Sequence, residues 1–178
     1  MIDWPFLISD QHMGHKNIML YENRPFRDAE DMENELIKRH NEMVDKHQLV
    51  YILGDFSFYP KEFTKHIVDQ LNGRKYLIRG NHDNHSNNWY RDVGFQEVSK
   101  YPIIIWGSVI LSHEPVYCNQ NMPFVNIHGH SHSVCLQSKK HFNVSADNIN
   151  YRPISLGEIL NRLDVSLEQF EPEDEGAI

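Results

Sequence analysis

Seven side chains of metal-ligand type fall into five short clusters along the chain. They are Asp10 and His12 in Ser9-Asp10-Gln11-His12, Asp55 after Gly54, Asn81 opening Asn81-His82-Asp83, His113 before Glu114, and the pair His130 and His132 around Ser131. Carboxylate, amide and imidazole donors without a thiolate suit a binuclear oxygen/nitrogen site better than a zinc finger. One carboxylate must then bridge two ions roughly 3.5 to 4 Å apart, and Asp55, with two oxygens and a central place in chain order, is the natural bridge. Glycines directly before Asp55, Asn81 and His130 leave the backbone free to turn tightly and come close to the ions. If residues 130–132 are extended, alternation puts both imidazoles on one side, where each can serve a different ion.

The elements that must position these groups can be read from apolar patterning. Short apolar runs at 5–9, 49–53, 76–78, 103–105, 109–111, 125–127 and 142–144 read as buried strands. Between the first two, Leu36, His40, Met43, Val44 and His47 recur at helical spacing; Phe63, Ile67 and Leu71 do so between the next two. Strand, helix, strand, helix, strand predicts a parallel sheet with right-handed crossovers. The carboxyl ends of such strands form a crevice, so clusters far apart in sequence should meet there. From Lys100 onward the pattern turns strand-rich, with a hairpin closed by a two-residue turn at Trp106-Gly107 and the prospect of a second sheet. Leu156, Ile159, Leu160 and Leu163 predict a closing helix. The connection at 14–31 is long and should overhang something, as functional loops of that length often do.

Bulk properties narrow the function. At 178 residues, 40% of them hydrophobic, the chain can build one sizeable core; one domain is expected over 1–165. An acidic tail at 166–178, holding Glu168, Glu171, Glu173, Asp174 and Glu175, is expected to fray. A net charge of −8, with basic runs no longer than Arg74-Lys75 or Lys139-Lys140, argues against a long nucleic acid as partner, because phosphate backbones need clustered cations. Cys118 and Cys135 are too few for a disulfide framework and fit a reducing cytosol. Neither a basic-then-apolar leader nor a run near the roughly 18 apolar residues of a membrane helix is seen; a cytoplasmic protein with no membrane partner is the expectation. Twelve histidines matter through their positions. His40, His47 and His66 fall on predicted helices as surface or core-edge residues, His85 and His141 have no partner pattern, and His128 reads as a packed strand residue.

Taken in order, Asp-x-His, Gly-Asp, Gly-Asn-His-Asp, an isolated His and Gly-His-x-His resemble the calcineurin-like metallophosphoesterase superfamily, over residues 5 to about 159. The stretch 8–18 together with Asn23-Arg24-Pro25-Phe26 further resembles a compact bacterial and phage-type subgroup of phosphoesterases. The resemblance implies a four-layer α/β/β/α sandwich. It implies one ion on Asp10, His12, Asp55 and His132 and a second on Asp55, Asn81, His113 and His130, with manganese first and iron, zinc, nickel or cobalt as alternatives. It further implies hydrolysis of a small phosphate ester by a hydroxide held between the ions, with His82 as general acid and Asp83 orienting it. His15 is expected to support the ligands from behind, and Arg24 to do the same or to grip a substrate phosphate. A phosphodiester is the preferred substrate. A monoesterase or nucleotidase on the same site, or a low-turnover scaffold with this fold, is the alternative.

Overall fold

The computed structural model describes residues 3–136 and 138–166; the acidic segment from Glu168 onward lies outside them. Strands β1 (Phe6–Ile8), β2 (Leu49–Ile52), β3 (Arg74–Ile78) and β4 (Glu97–Ser99) pair in parallel. A short strand at Ile154–Ser155 adds antiparallel to the outer edge of β1. Continuous apolar runs such as Val50, Tyr51 and Ile52 suit parallel strands covered on both faces. The second sheet is built from β5 (Ile103–Ile105), β6 (Val109–Leu111), β7 (Val125–His128) and β8 (His141–Asn143), in that order, antiparallel at the β5–β6 hairpin and parallel thereafter. Ile154–Ser155 is therefore β9. The hairpin turn spans three residues, Trp106 to Ser108, rather than two, because Trp106 and Gly107 are both left-handed (φ 45° and 68°).

Helix α1 (Ile18–Tyr21) is a single turn, whereas α2 (Ala29–Met43) and α3 (Lys61–Gln70) are the crossovers of the first sheet. Asp28 caps α2 by accepting from the Asp31 amide at 2.9 Å, which satisfies one of the orphan N–H groups of a helix start. Met32, Leu36 and His40, four residues apart, face the sheet. The helix ends at Met43, since Val44 is extended, so His47 is not helical. On α3 the inward residues are Thr64, Ile67 and Val68, and Phe63 is left 62% exposed. A further helix, α4 (Asn87–Asp92), precedes β4; neither is signalled by apolar periodicity, being six and three residues long. Helices α2 to α4 and the outer face of the first sheet share one core that contains Ile8, Leu36, Ile52, Ile67 and Leu77. A second core lies between the sheets, where Leu7, Leu53 and Ile78 meet Val109, Leu111, Val125 and Ile127; α5 (Leu156–Arg162) closes it through Leu156, Ile159 and Leu160. The result is an α/β sandwich of two sheets flanked by helices. No helix among the described residues is long and apolar enough to cross a membrane.

The two sheets are stitched together at one end. Ser9 donates its amide to Val144 O at 2.9 Å and pairs in parallel with Ser145, while its hydroxyl donates to Leu53 O at 2.6 Å. The residues after β1, β2, β3, β6 and β7 all emerge at this end.

Candidate metal centre

The structure brings all seven expected ligands together in one crevice. Buried Asp10 uses one oxygen for the protein: Oδ2 accepts from the His130 amide at 2.9 Å and the Ser145 hydroxyl at 2.8 Å. Its Oδ1 is buried without a hydrogen bond, as are both ring nitrogens of His12. His12 Nε2 lies 3.8 Å from Asp10 Oδ1 and 3.7 Å from Asp55 Oδ2, and His132 Nε2 lies 4.0 Å from Asp10 Oδ1. These gaps are too long for hydrogen bonds. They are close to the spacing of two atoms each about 2.1 Å from a shared cation. Asp55 divides its oxygens in the same way: Oδ1 accepts from the His82 amide at 2.9 Å, and Oδ2 faces His12 and, at 3.5 Å, His113 Nε2.

On the other flank, His113 Nδ1 donates to the Leu53 carbonyl at 2.8 Å, leaving a lone pair on Nε2. That nitrogen stands 2.8 Å from Asn81 Oδ1, and His130 Nδ1 approaches the same oxygen to 2.9 Å. The His113 Nε2 lone pair turned toward the Asn81 Oδ1 acceptor favours a cation between them. Orphaned buried acceptors beside Asp10 and the acceptors facing each other at His113 and Asn81 fit the binding of divalent metal. Asp10, His12 and His132 form one ligand group; Asp10, Asp55 and His113 form a second that overlaps it.

The backbone is strained where the ligands sit. Asp10, His12, Asp55, His130 and His132 all have φ between 45° and 66°, a left-handed conformation that costs non-glycine residues roughly 1 kcal/mol or more each and gathers at functional sites. This overturns the extended reading of 130–132. With both histidines left-handed the imidazoles diverge, His130 toward Asn81 and His132 toward Asp10. The glycines admit close approach, as expected: a Cβ on Gly80 would collide with Asp55 Oδ1, and one on Gly129 with Ser9 Oγ and Asp10 Oδ2.

Burial opposes ionisation of Asp10, yet the neighbouring imidazoles of His12, His113 and His132 hold its carboxyl well below the usual range. Asp83 is a correction to its expected role. It does not orient His82; its buried carboxylate accepts from the amides of Gly80 and Asp55, each at 2.8 Å, and so ties the turn after β3 to the turn after β2. Burial pushes its pKa up. His82 is rooted through its amide on Asp55, with Nε2 4.0 Å from Asp55 Oδ2 and the side chain 48% exposed at the mouth. His15 stacks on the far side of the crevice against Phe58, with ring centroids 4.5 Å apart, and lies 5.5 Å from His12; burial lowers its pKa.

Arg24 does not face substrate. It is buried: Nε and Nη2 reach Asp147 at 2.8 and 3.0 Å, Nη1 donates to Gln11 O at 2.9 Å, and Nη2 donates to Asp10 O at 2.7 Å. The long 14–31 connection thus folds back beneath the ligands instead of overhanging them at this point. Arg79 is likewise engaged, with Nε and Nη2 donating to Asp83 O at 3.0 and 2.6 Å.

Asp147 is the residue that sequence reasoning missed. Its Oδ2 accepts from His132 Nδ1 at 3.0 Å, which fixes the tautomer and leaves Nε2 free toward Asp10. Burial works against both charges of the pair, but Asp147 keeps His132 above its ordinary value, and His132 with Arg24 keeps Asp147 below its own. Asp147 lies in a 3-10 turn after β8, outside every ligand cluster. Beside Asn81 and His113 a cavity of about 540 Å³ opens, lined also by Lys100, Pro102 and Glu114.

The chain matches the family described as calcineurin-like phosphoesterase over residues 6–172. It is 33% identical to an uncharacterised protein of Methanocaldococcus jannaschii over 169 residues, 89% of this chain and 90% of that one. It is 31% identical to the Gene 66 protein of Mycobacterium phage L5 over 163 residues, 74% of this chain and 78% of that one. Among solved structures it resembles a protein of unknown function from Aquifex aeolicus, with a TM-score of 0.69 and 25% identity over 89% of this chain and 98% of that one.

Proposed function

The chain belongs to the calcineurin-like phosphoesterase family, and from that premise we propose that it hydrolyses a small phosphodiester with two divalent cations. One would be held by Asp10, His12, Asp55 and His132, the other by Asp55, Asn81, His113 and His130, and manganese is the first candidate. The observation that carries the reading is the orphaned pair of buried acceptors, Asp10 Oδ1 and His12 Nε2, 3.8 Å apart, with His132 Nε2 4.0 Å from the same Asp10 oxygen. When bound, such ions lower the pKa of water toward about 7 and neutralise phosphoryl oxygens.

The side chains do the remainder. Asp55 holds the His82 backbone through its amide, and the His82 ring, open to the mouth, would donate to a leaving oxygen. Asp83 acts only by positioning, since it fixes the Gly80 and Asp55 amides. Preference for a diester rests on charge. Arg24 and Arg79 are both committed to the protein, so no guanidinium from either meets the second negative charge of a monoester. Lys100, in the cavity beside Asn81 and His113, favours the second reading, a phosphomonoesterase or nucleotidase on the same site.

The test is hydrolysis of bis(p-nitrophenyl) phosphate and p-nitrophenyl phosphate by manganese-loaded protein. The diester is expected to be cleaved faster. His82→Ala should lose about 10²-fold or more in turnover while its metal content stays at the parent value. Faster monoester cleavage overturns the substrate class. A parent chain inactive with manganese, iron, zinc, nickel and cobalt alike supports a scaffold instead.

A further inference from the structure

Phe58 is a large apolar side chain left 42% exposed at the mouth of the crevice. It follows Asp55 by three residues, and its amide donates to Met13 O at 2.9 Å, which holds the turn against the loop after β1. The ring lies nearly parallel to two imidazoles, His12 at 5.3 Å between centroids and His15 at 4.5 Å. Those two imidazoles are 5.5 Å apart. Were they on opposite faces of Phe58, their separation would approach the sum of the two distances, so they share one side. The 42% exposure of Phe58 leaves part of its ring open to solvent. The His82 ring lies 5.2 Å from Phe58 and 5.8 Å from His12, and Tyr21, 67% exposed, stands 6.2 Å from His15.

A flat apolar ring, backed by imidazoles and anchored through its backbone, is a preorganised stacking surface. It sits next to the histidine that faces the leaving oxygen. We propose that Phe58 forms a subsite for a planar aromatic group on the leaving side of the substrate, either an aryl alcohol or a nucleobase. The proposal rests on the phosphoesterase reading and deepens it. The cavity beside Asn81 and His113 is lined by neither His12 nor Phe58, so the two ester arms of a diester have separate places to go.

The test is competitive inhibition of diester hydrolysis, with direct calorimetric binding, by three non-hydrolysable probes on the manganese-loaded full chain. Methylphosphonate carries no ring, phenylphosphonate carries one on phosphorus, and the phosphonate analogue of thymidine 5′-phosphate with a methylene in place of the 5′ oxygen carries a base one sugar away. The parent should prefer one or both aromatic probes to methylphosphonate; phenylphosphonate points to aryl esters, the thymidine compound to nucleotides. Phe58→Ala should lower that preference about tenfold, in the range of base–aromatic stacking, and Phe58→Tyr should restore it. Manganese content serves as the control for intact ligands. An undiminished preference in Phe58→Ala overturns the subsite. So does an equal loss for all three probes, which would make Phe58 a prop for His12 and His82. A parent that binds methylphosphonate without any aromatic preference sinks the subsite alone, whereas one that binds no phosphonate contradicts the phosphoesterase reading and removes both.

Discussion

The buried pair Arg24–Asp147 should couple folding to metal binding. Arg24 makes four short polar contacts, two to Asp147 and two to the carbonyls of Asp10 and Gln11; the side chains of Arg24 and Asp147 are 0% and 4% exposed. Arg24→Met keeps the stem and removes the charge. It leaves Asp147 ionised and buried with His132 alone, and both carbonyls lose their donor. Breaking a buried pair from one side costs about 3 to 5 kcal/mol, and the lost carbonyl bonds fall within that figure. Asp147→Asn should cost less, about 2 to 3 kcal/mol, because an amide oxygen still accepts from Arg24. The double variant should be less destabilised than the sum of the two singles by about 1 kcal/mol or more, since neither charge then remains stranded.

Asp147→Asn also takes the carboxylate away from His132, and loss of such an outer contact lowers metal affinity about 10- to 100-fold. Urea unfolding of chelator-treated protein reads the first effect without metal linkage, and calorimetric manganese titration reads the second. Additive costs in the double variant, together with an Asp147→Asn protein that binds manganese like the parent, would refute the reasoning.

Two further outcomes follow from the same geometry. Gly80→Ala places a methyl group on Asp55 Oδ1 and 2.7 Å from the Asp55 amide, so it should destabilise by about 1 to 3 kcal/mol and lower both manganese affinity and hydrolysis; a variant with parental metal content and rate would contradict the crowding argument. His40, buried beneath α2 with Nε2 donating to Asn72 O at 3.0 Å, has its pKa pushed down to about 4 by burial. Below the ordinary 6.5 the unfolded chain takes up the proton first, so this contribution is complete above pH 6.5 and is lost as pH falls toward 4, about 3 kcal/mol in all. Between pH 7 and 4.5, urea midpoints should therefore drop further in the parent than in His40→Gln, and equal drops would refute the assignment.

The gathering of the candidate ligands was legible because their types are chemical and their placement follows from topology. Asp10, Asp55, Asn81, His113 and His130 each follow a strand that apolar patterning reveals, and parallel strands deliver such residues to one end. What escaped depends on side-chain direction or on backbone conformation. Asp83 sits beside His82 in sequence but points inward to three amides, a choice made by the turn. His130 and His132 were expected to alternate along an extended segment, which left-handed φ angles at both rule out. Asp147 contacts Arg24 across 123 residues, and a lone acidic residue in a polar stretch carries no local mark of that. Four elements, α1, α4, β4 and β9, were missed because two to six residues are too few to display a period. Phe58 carries no mark of its own in the sequence, and only its neighbours His12, His15 and His82 single it out.

The claim on which all of this depends is that Asp55 joins two cations into one centre. Electron paramagnetic resonance of the chain titrated with manganese examines it directly. Two equivalents should bind per chain and give the spectrum of an exchange-coupled pair, and Asp55→Ala should reduce it to the six-line signal of isolated ions. A parent chain that saturates at one equivalent, or whose two ions show only the isolated signal, would contradict it.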